Sequence, residues 1–168
     1  LKKAFTAALD SCIMMCISDE SRCTSLMDKP VIISIRGLQS FEDMEDEVIE
    51  LVTEGRLVGS AEEGYSLSYQ ESPVTGLDGT LTTFQIQRDR ITLLRVGVVN
   101  SQMIFEEGRK HLSLYETPNG ALTVGVNTRR ARSTLEECGG SIEINYAIEI
   151  DHAVAGENAF RISVREPA

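Results

Sequence analysis

The chain has 168 residues, with 26 acidic and 16 basic side chains and a formal net charge of −10. That length is enough for one domain with its own core, so the fold requires neither a disulfide nor a metal. Nucleic acid and anionic membrane surfaces are excluded as expected partners, because both would repel this charge and the sequence has no basic stripe to reverse it.

Residues 1–26 differ in character from the rest of the chain. They hold three of the four cysteines, Cys12, Cys16 and Cys23, and their apolar run is interrupted by Asp10 before any clean signal-peptide cleavage site. Met27 comes immediately before the first predicted strand, where an initiator methionine is expected. We therefore interpret 1–26 as an N-terminal extension outside the fold, and 27–168 as a single β-barrel domain.

From Pro30 onward, short runs of alternating apolar and polar residues succeed one another, separated by turns rich in Gly, Asn and Asp. A strand directs successive side chains to opposite faces, so each run has one face for a core and one for solvent. The clearest run is 141–151. The predicted strands cover 31–37, 46–59, 64–71, 81–88, 91–96, 103–106, 112–117, 122–128, 142–150 and 158–165.

The connections between these strands are short. Pro118-Asn119-Gly120 is a strong hairpin signal, and residues 72–79 form the longest turn-rich loop. Short connections join sequence neighbours, which favours an all-β, antiparallel up-and-down barrel of about 8–10 strands; a two-sheet sandwich is the alternative. The barrel is preferred because closure removes exposed edges.

Two charged residues break the alternation. Glu71 continues the phase of Tyr65, Leu67 and Tyr69, and Arg95 shares the parity of Ile91 and Leu93, so both are predicted to point inward. A buried charge is costly unless it is paired or hydrogen-bonded. One interpretation is an inner Glu71–Arg95 pair with hydroxyls from Tyr69, Tyr115 or Tyr146; the other is that both side chains reach solvent at the barrel rim.

The leading functional hypothesis is that the barrel binds a small molecule, with Tyr69, Glu71, Arg95 and Tyr115 as polar contacts. The rivals are a filled, non-enzymatic interaction barrel and an unrecognised enzyme that uses Glu71 as a base. No catalytic triad, phosphate loop or cofactor motif is present, and two histidines are too few for a zinc pattern. A homodimer is left open.

The location is predicted from the cysteines. Cys138 is alone in the body of the chain and cannot form an internal disulfide, which is typical of a cytoplasmic protein.

Several short motifs occur in a fixed order along the body. They are Tyr65-x-Leu67-x-Tyr69-x-Glu71-Ser72, Gly79-Thr80-x-Thr82, Leu94-Arg95-x-Gly97, Met103-x-Phe105, Tyr115-x-Thr117-x-x-Gly120 and Gly139-Gly140-x-Ile142-x-x-x-Tyr146. In this order they resemble the YwiB-like family of uncharacterised bacterial proteins.

The resemblance covers about residues 30–166. It implies a calycin-like, lipocalin-related β-barrel whose chain starts near Met27, and it carries over no catalytic residue because the family has no assigned reaction. The chain departs from lipocalins and fatty-acid-binding proteins in having no tryptophan, whereas those proteins usually carry Gly-x-Trp near the first strand. Lipid or retinoid binding is therefore not transferred.

Overall fold

The computed structural model describes residues 26–168, and within them the chain forms ten β-strands and one 3-10 turn. No helix in these residues is long and apolar enough to cross a membrane. The N-terminal extension was predicted over 1–26. All of it except residue 26 lies outside the described residues, so it stays a prediction. The strands are β1 Met27–Phe41, β2 Glu47–Ser60, β3 Gly64–Gln70, β4 Thr80–Ile86, β5 Ile91–Gly97, β6 Asn100–Phe105, β7 Lys110–Thr117, β8 Gly120–Ser133, β9 Gly139–Ile150 and β10 Ala153–Arg165; the 3-10 turn, Pro73–Thr75, lies between β3 and β4.

The sheet closes on itself. Every strand pairs antiparallel with its neighbours in sequence, and β1 also pairs with β10 along Ile32 to Phe41. The predicted antiparallel up-and-down barrel is confirmed, with ten strands in the described part of the chain, and the sandwich alternative is excluded. Short connections favour this order because each strand folds back beside the one before it.

β1 is longer than predicted. It runs for 15 residues from Met27, although the apolar alternation that predicts a strand covers only 31–37. β2 pairs with it over nearly its full length, and Arg56 of β2 donates to Asp28 over 2.6 Å. The backbone ladder and cross-strand ion pairs extend a strand through polar residues that a hydrophobic pattern does not detect.

The barrel has two ends. The connections 42–46, 71–79, 98–99, 118–119 and 151–152 lie at one end, which we call the rim, and the remaining connections lie at the other, the base. Between the ends, inward apolar side chains form one core cluster, which includes Ile33, Leu57, Leu67, Phe105 and Ile142. The alternation of β9 is confirmed, since Ile142, Ile144 and Tyr146 are all buried.

The predicted strands 103–106 and 112–117 form as β6 and β7, but the two strands pair with each other only over a short stretch. The two strands share only the pairs Asn100–Glu116 and Ser101–Tyr115, next to the rim. Toward the base, the turn before β7 bonds to β8 instead, with Thr128 N donating to Arg109 O over 3.0 Å. This draws the start of β7 away from β6 and leaves an unpaired seam in the wall.

Side chains bridge that seam. The Ser113 hydroxyl donates to the Gln102 carbonyl over 2.6 Å, and Nε2 of His111 lies 3.1 Å from Oε2 of Glu106. His111 is half-buried at this seam.

Candidate functional site

Five inward residues with polar groups lie side by side across β3 to β7. Register pairs Tyr69 with Thr82, Thr82 with Arg95, Arg95 with Ser101, and Ser101 with Tyr115. Cross-strand partners in antiparallel sheets have Cβ atoms about 4.5–5.5 Å apart, so this is one continuous row. Three of the four residues predicted as ligand contacts belong to it.

A second polar row faces the barrel interior from β8, β9 and β10. Tyr146 pairs with Thr128 on one side and with Asn158 on the other, and all three are buried. We call the two rows together the polar belt. Its residues are Tyr69, Thr82, Arg95, Ser101, Tyr115, Thr128, Tyr146 and Asn158.

Glu71 lies on the rim side of Tyr69 and is 4% exposed. Its two carboxylate oxygens accept hydrogen bonds from Thr82 Oγ1 over 2.6 Å and from Thr75 Oγ1 over 2.7 Å. Its backbone N–H also donates to Thr80 O over 2.9 Å. The carboxylate thus ties the loop after β3 to β4, and the interpretation that it reaches solvent at the rim is wrong.

Arg95 has no such partners. Among residues 26–168 no salt bridge joins it to an acidic side chain, so the predicted Glu71–Arg95 pair does not form. Its Nε is buried without a hydrogen-bond acceptor, while the side chain as a whole is half-buried. The two oxygens of Glu71 accept from threonine hydroxyls instead.

Arg95 nevertheless acts electrostatically on two buried tyrosines. Burial raises the pKa of the Tyr146 phenol to about 12, an effect that Arg95 opposes. Burial and then the Glu71 carboxylate raise the pKa of Tyr69 above its usual range, and Arg95 again opposes them. Both phenols therefore stay protonated at neutral pH and can donate hydrogen bonds.

A cavity of about 50 Å³ lies between the two rows. Tyr69, Arg95 and Tyr146 line it on the polar side, and Phe84 and Phe160 are among its apolar neighbours. One water molecule occupies about 30 Å³ of liquid, so the space admits a few heavy atoms and not a whole drug-sized ligand.

Several polar atoms of the belt are buried without a partner among the described residues. They are Arg95 Nε, Ser101 Oγ, Thr128 Oγ1 and both the amide nitrogen and oxygen of Asn158. Most buried polar atoms in folded proteins are hydrogen-bonded, and each exception requires an explanation. The belt therefore contains several donors and acceptors that no described protein atom satisfies.

Two arrangements used in catalysis are absent from the part of the chain that the structure describes. No three His, Cys, Asp or Glu side chains there converge to hold a metal ion. No hydroxyl or thiol in residues 26–168 is hydrogen-bonded to a histidine, since the His111 ring contacts Glu106.

A larger groove of about 670 Å³ lies at the base. Its charged lining residues Glu62, Glu63, Arg88 and Arg90 are all exposed. Water satisfies exposed charges, so nothing in this groove lacks a partner in the way the belt does.

Sequence reasoning predicted Tyr69, Glu71, Arg95 and Tyr115 as polar ligand contacts, and this role stays a prediction. The structure places Tyr69, Arg95 and Tyr115 in one row, with Glu71 two residues beyond Tyr69. Sequence reasoning missed Thr82, Ser101, Thr128 and Asn158. The signal was present, because each of them is a polar residue in phase with buried apolar neighbours, as Ser101 is with Met103 and Phe105.

The comparisons with known proteins agree with this fold. The sequence model of a family described as "Domain of unknown function (DUF1934)" matches residues 33–162. The crystal structure of the YwiB protein from Bacillus subtilis is similar, with a TM-score of 0.74 and 22% identity over 85% of this chain and 96% of that one. No curated protein matches the sequence significantly. The likeness to YwiB predicted from the motifs is confirmed at the level of the fold.

Proposed function

This chain belongs to the DUF1934 family of domains of unknown function, and we propose that it binds a small molecule at the polar belt. The observation that carries the proposal is the set of belt atoms buried without partners, one of which, Nε of Arg95, belongs to a residue that lines the internal cavity. Leaving a buried donor or acceptor unsatisfied costs about 1–3 kcal/mol, and a ligand with complementary groups recovers that cost.

The four residues predicted as contacts take different roles in this proposal. Tyr69 and Arg95 contact the ligand from the cavity wall, and Tyr115 contacts it from the adjoining end of the row. Glu71 positions the loop after β3 through Thr75 and Thr82. Hydrogen-bonding groups fix the orientation of the ligand, and the apolar lining excludes water around it.

The rival is a filled barrel that meets a protein partner through its acidic outer surface. The small size of the cavity, about 50 Å³, is the observation in its favour. Small barrels are commonly filled by side chains. A filled barrel, however, gains nothing from an amide whose two polar atoms both lack partners, and this favours binding.

We also propose that the barrel is calycin-like and cytoplasmic. The next-neighbour strand order of the closed barrel supports the first. The free, exposed thiol of Cys138 supports the second, because exposed thiols persist in reducing compartments.

The Asn158→Leu substitution distinguishes a barrel that binds a ligand from a barrel that is filled by its own side chains. If the amide exists for a ligand, Asn158→Leu leaves the free energy of unfolding unchanged or raises it, since it removes two unsatisfied atoms from the interior. The same variant loses the thermal shift that hits from a fragment library of organic acids, amides and alcohols give in wild type.

The matched control is Asn145→Leu, on the half-buried outward-facing asparagine of the adjacent strand. Every fragment that raises the unfolding temperature of wild type should also raise that of Asn145→Leu. A loss of about 1–3 kcal/mol in Asn158→Leu, together with hits that are indifferent to the substitution, would refute ligand binding at the belt.

A further inference from the structure

Arg95 is a cation inside the barrel without a counter-charge among the described residues. No acidic side chain among the described residues forms a salt bridge with Arg95, and its buried Nε has no hydrogen-bond acceptor. The acidic residue of the same end, Glu71, is held by two hydroxyls. An unpaired charge is among the most costly groups to keep in a protein interior.

Ser101 is the second unsatisfied group beside it. Register places Ser101 directly opposite Arg95 on β6, and its hydroxyl is buried without a partner. Ser101 is 8% exposed, so water from the bulk does not serve this hydroxyl. A guanidinium and a hydroxyl side by side supply donors for the two oxygens of one anionic group.

We infer that the belt receives an organic carboxylate, which Arg95 holds from the cavity wall while Ser101, its register neighbour on β6, supplies a second donor beside it; this inference rests on the proposed function. The size of the cavity, about 50 Å³, suits a carboxylate group with a short apolar chain. Its other walls, which include Leu93, Ile144 and Phe160, are apolar and suit such a chain.

The neighbouring Glu71 reduces the positive field that Arg95 presents to an anion. Its carboxylate raises the pKa of Tyr69, so its negative field extends into the cavity wall. A dianion such as hydrogen phosphate is repelled by Glu71 and attracted by Arg95 twice as strongly as a monoanion at the same distances, so shape rather than charge favours the carboxylate. A planar monoanion matches the flat donor fork of arginine.

The tyrosines of the chain provide an intrinsic fluorescence signal with which binding can be tested. It has four tyrosines and no tryptophan, and three of the four, Tyr69, Tyr115 and Tyr146, belong to the polar belt. In a Tyr65→Phe background, tyrosine emission comes from the belt alone. Backbone amide NMR then shows where each probe binds.

The probes are sodium butyrate, neutral butyramide and sodium phosphate, at matched ionic strength. We expect butyrate to change the emission and to shift the amide resonances around Arg95 and Ser101, and butyramide and phosphate to do so at least about tenfold more weakly. Arg95→Met should weaken butyrate binding about tenfold or more, and Ser101→Ala about two- to tenfold. Arg88→Met, which removes an exposed arginine at the base, should leave it unchanged.

The unliganded Arg95→Met protein should unfold at the same temperature as wild type or higher, because the substitution removes a half-buried charge whose Nε lacks an acceptor. Butyramide that binds as well as butyrate, or butyrate binding that survives Arg95→Met, overturns the carboxylate inference and leaves ligand binding intact. No response of the belt to any probe overturns the carboxylate inference, and the fragment hits on wild type then decide the proposed function separately.

Discussion

Glu71 and Arg95 carry opposite charges at one end of the barrel, and they differ in whether their polar atoms have hydrogen-bond partners. Glu71 is satisfied by the hydroxyls of Thr75 and Thr82, whereas Arg95 retains a buried Nε without an acceptor. The same sequence signal, a charge in phase with apolar residues, therefore marks one residue that organises the loop and one whose guanidinium retains an unpartnered nitrogen.

At the scale of the residue, Glu71→Ala should destabilise the protein by about 1–3 kcal/mol, because it leaves the fully buried hydroxyl of Thr82 without its acceptor. Urea denaturation measures this loss. The control is Glu62→Ala, at an exposed loop position of the base, which should stay within about 0.5 kcal/mol of wild type. Equal stability of the two variants would show that the carboxylate does not tie the loop to β4.

At the scale of the element, the weakest point of the wall is the seam between β6 and β7. Only two residue pairs join these strands, and Glu106 holds the elements around the seam together at the base. Its carboxylate accepts from Arg90, which precedes β5, over 2.6 Å, and lies 3.1 Å from Nε2 of His111 in β7. One side chain thus links three elements where the backbone ladder stops.

This link should depend on pH. The Arg90 guanidinium and then the His111 ring hold the pKa of Glu106 below its usual value of 4.5. A depressed folded-state pKa contributes stability that is complete above 4.5 and is lost as the pH falls through the folded value. The unfolding free energy of wild type should therefore drop below that pH more steeply than that of Glu106→Gln.

Chemical denaturation at several pH values checks this slope. Glu116→Gln, which changes an exposed glutamate of β7 that forms no ion pair in residues 26–168, should follow the wild-type curve. If the unfolding free energies of wild type and Glu106→Gln fall in parallel with pH, the charge of Glu106 does not stabilise the seam.

At the scale of the whole molecule, closure depends on the contact of β1 with β10. Gly37 of β1 pairs with Phe160 of β10, and a Cβ added at Gly37 would lie 2.6 Å from Cδ1 of the Phe160 ring. The absence of a side chain at residue 37 lets the ring lie across the closing pair. The same ring lines the cavity of the belt.

Gly37→Ala should therefore cost about 1–3 kcal/mol by overpacking, and it should also disturb the cavity by displacing Phe160. Thermal unfolding followed by circular dichroism measures the first effect, and tyrosine emission from the belt measures the second. Arg36→Ala, on the exposed face beside it, should change neither by more than the error. If Gly37→Ala changes neither the unfolding temperature nor the tyrosine emission, the closing pair has room for a methyl group.

The polar belt shows why prediction of the site was incomplete. Charged and aromatic residues such as Glu71 and Tyr69 are conspicuous in an apolar phase, whereas Thr82 and Ser101 are small and common in strands. The sequence also could not pair Arg95 with Ser101 rather than with Glu71, since the partner of a residue depends on register between strands. Register is fixed by turns and by packing of the whole sheet.

Alternation of apolar and polar residues and short turns by themselves determined that the chain folds into antiparallel strands paired in sequence order, because both are local properties read along one strand at a time. Closure into a barrel rather than a two-sheet sandwich depends on the pairing of β1 with β10, which only the tertiary structure shows. Only the tertiary structure decided which inward polar side chains meet across strands, that Glu71 is satisfied, and that Arg95, Ser101 and Asn158 retain unpartnered atoms. The physical reason is that satisfaction of a polar group depends on atoms distant in sequence, which closure of the barrel brings within hydrogen-bonding distance.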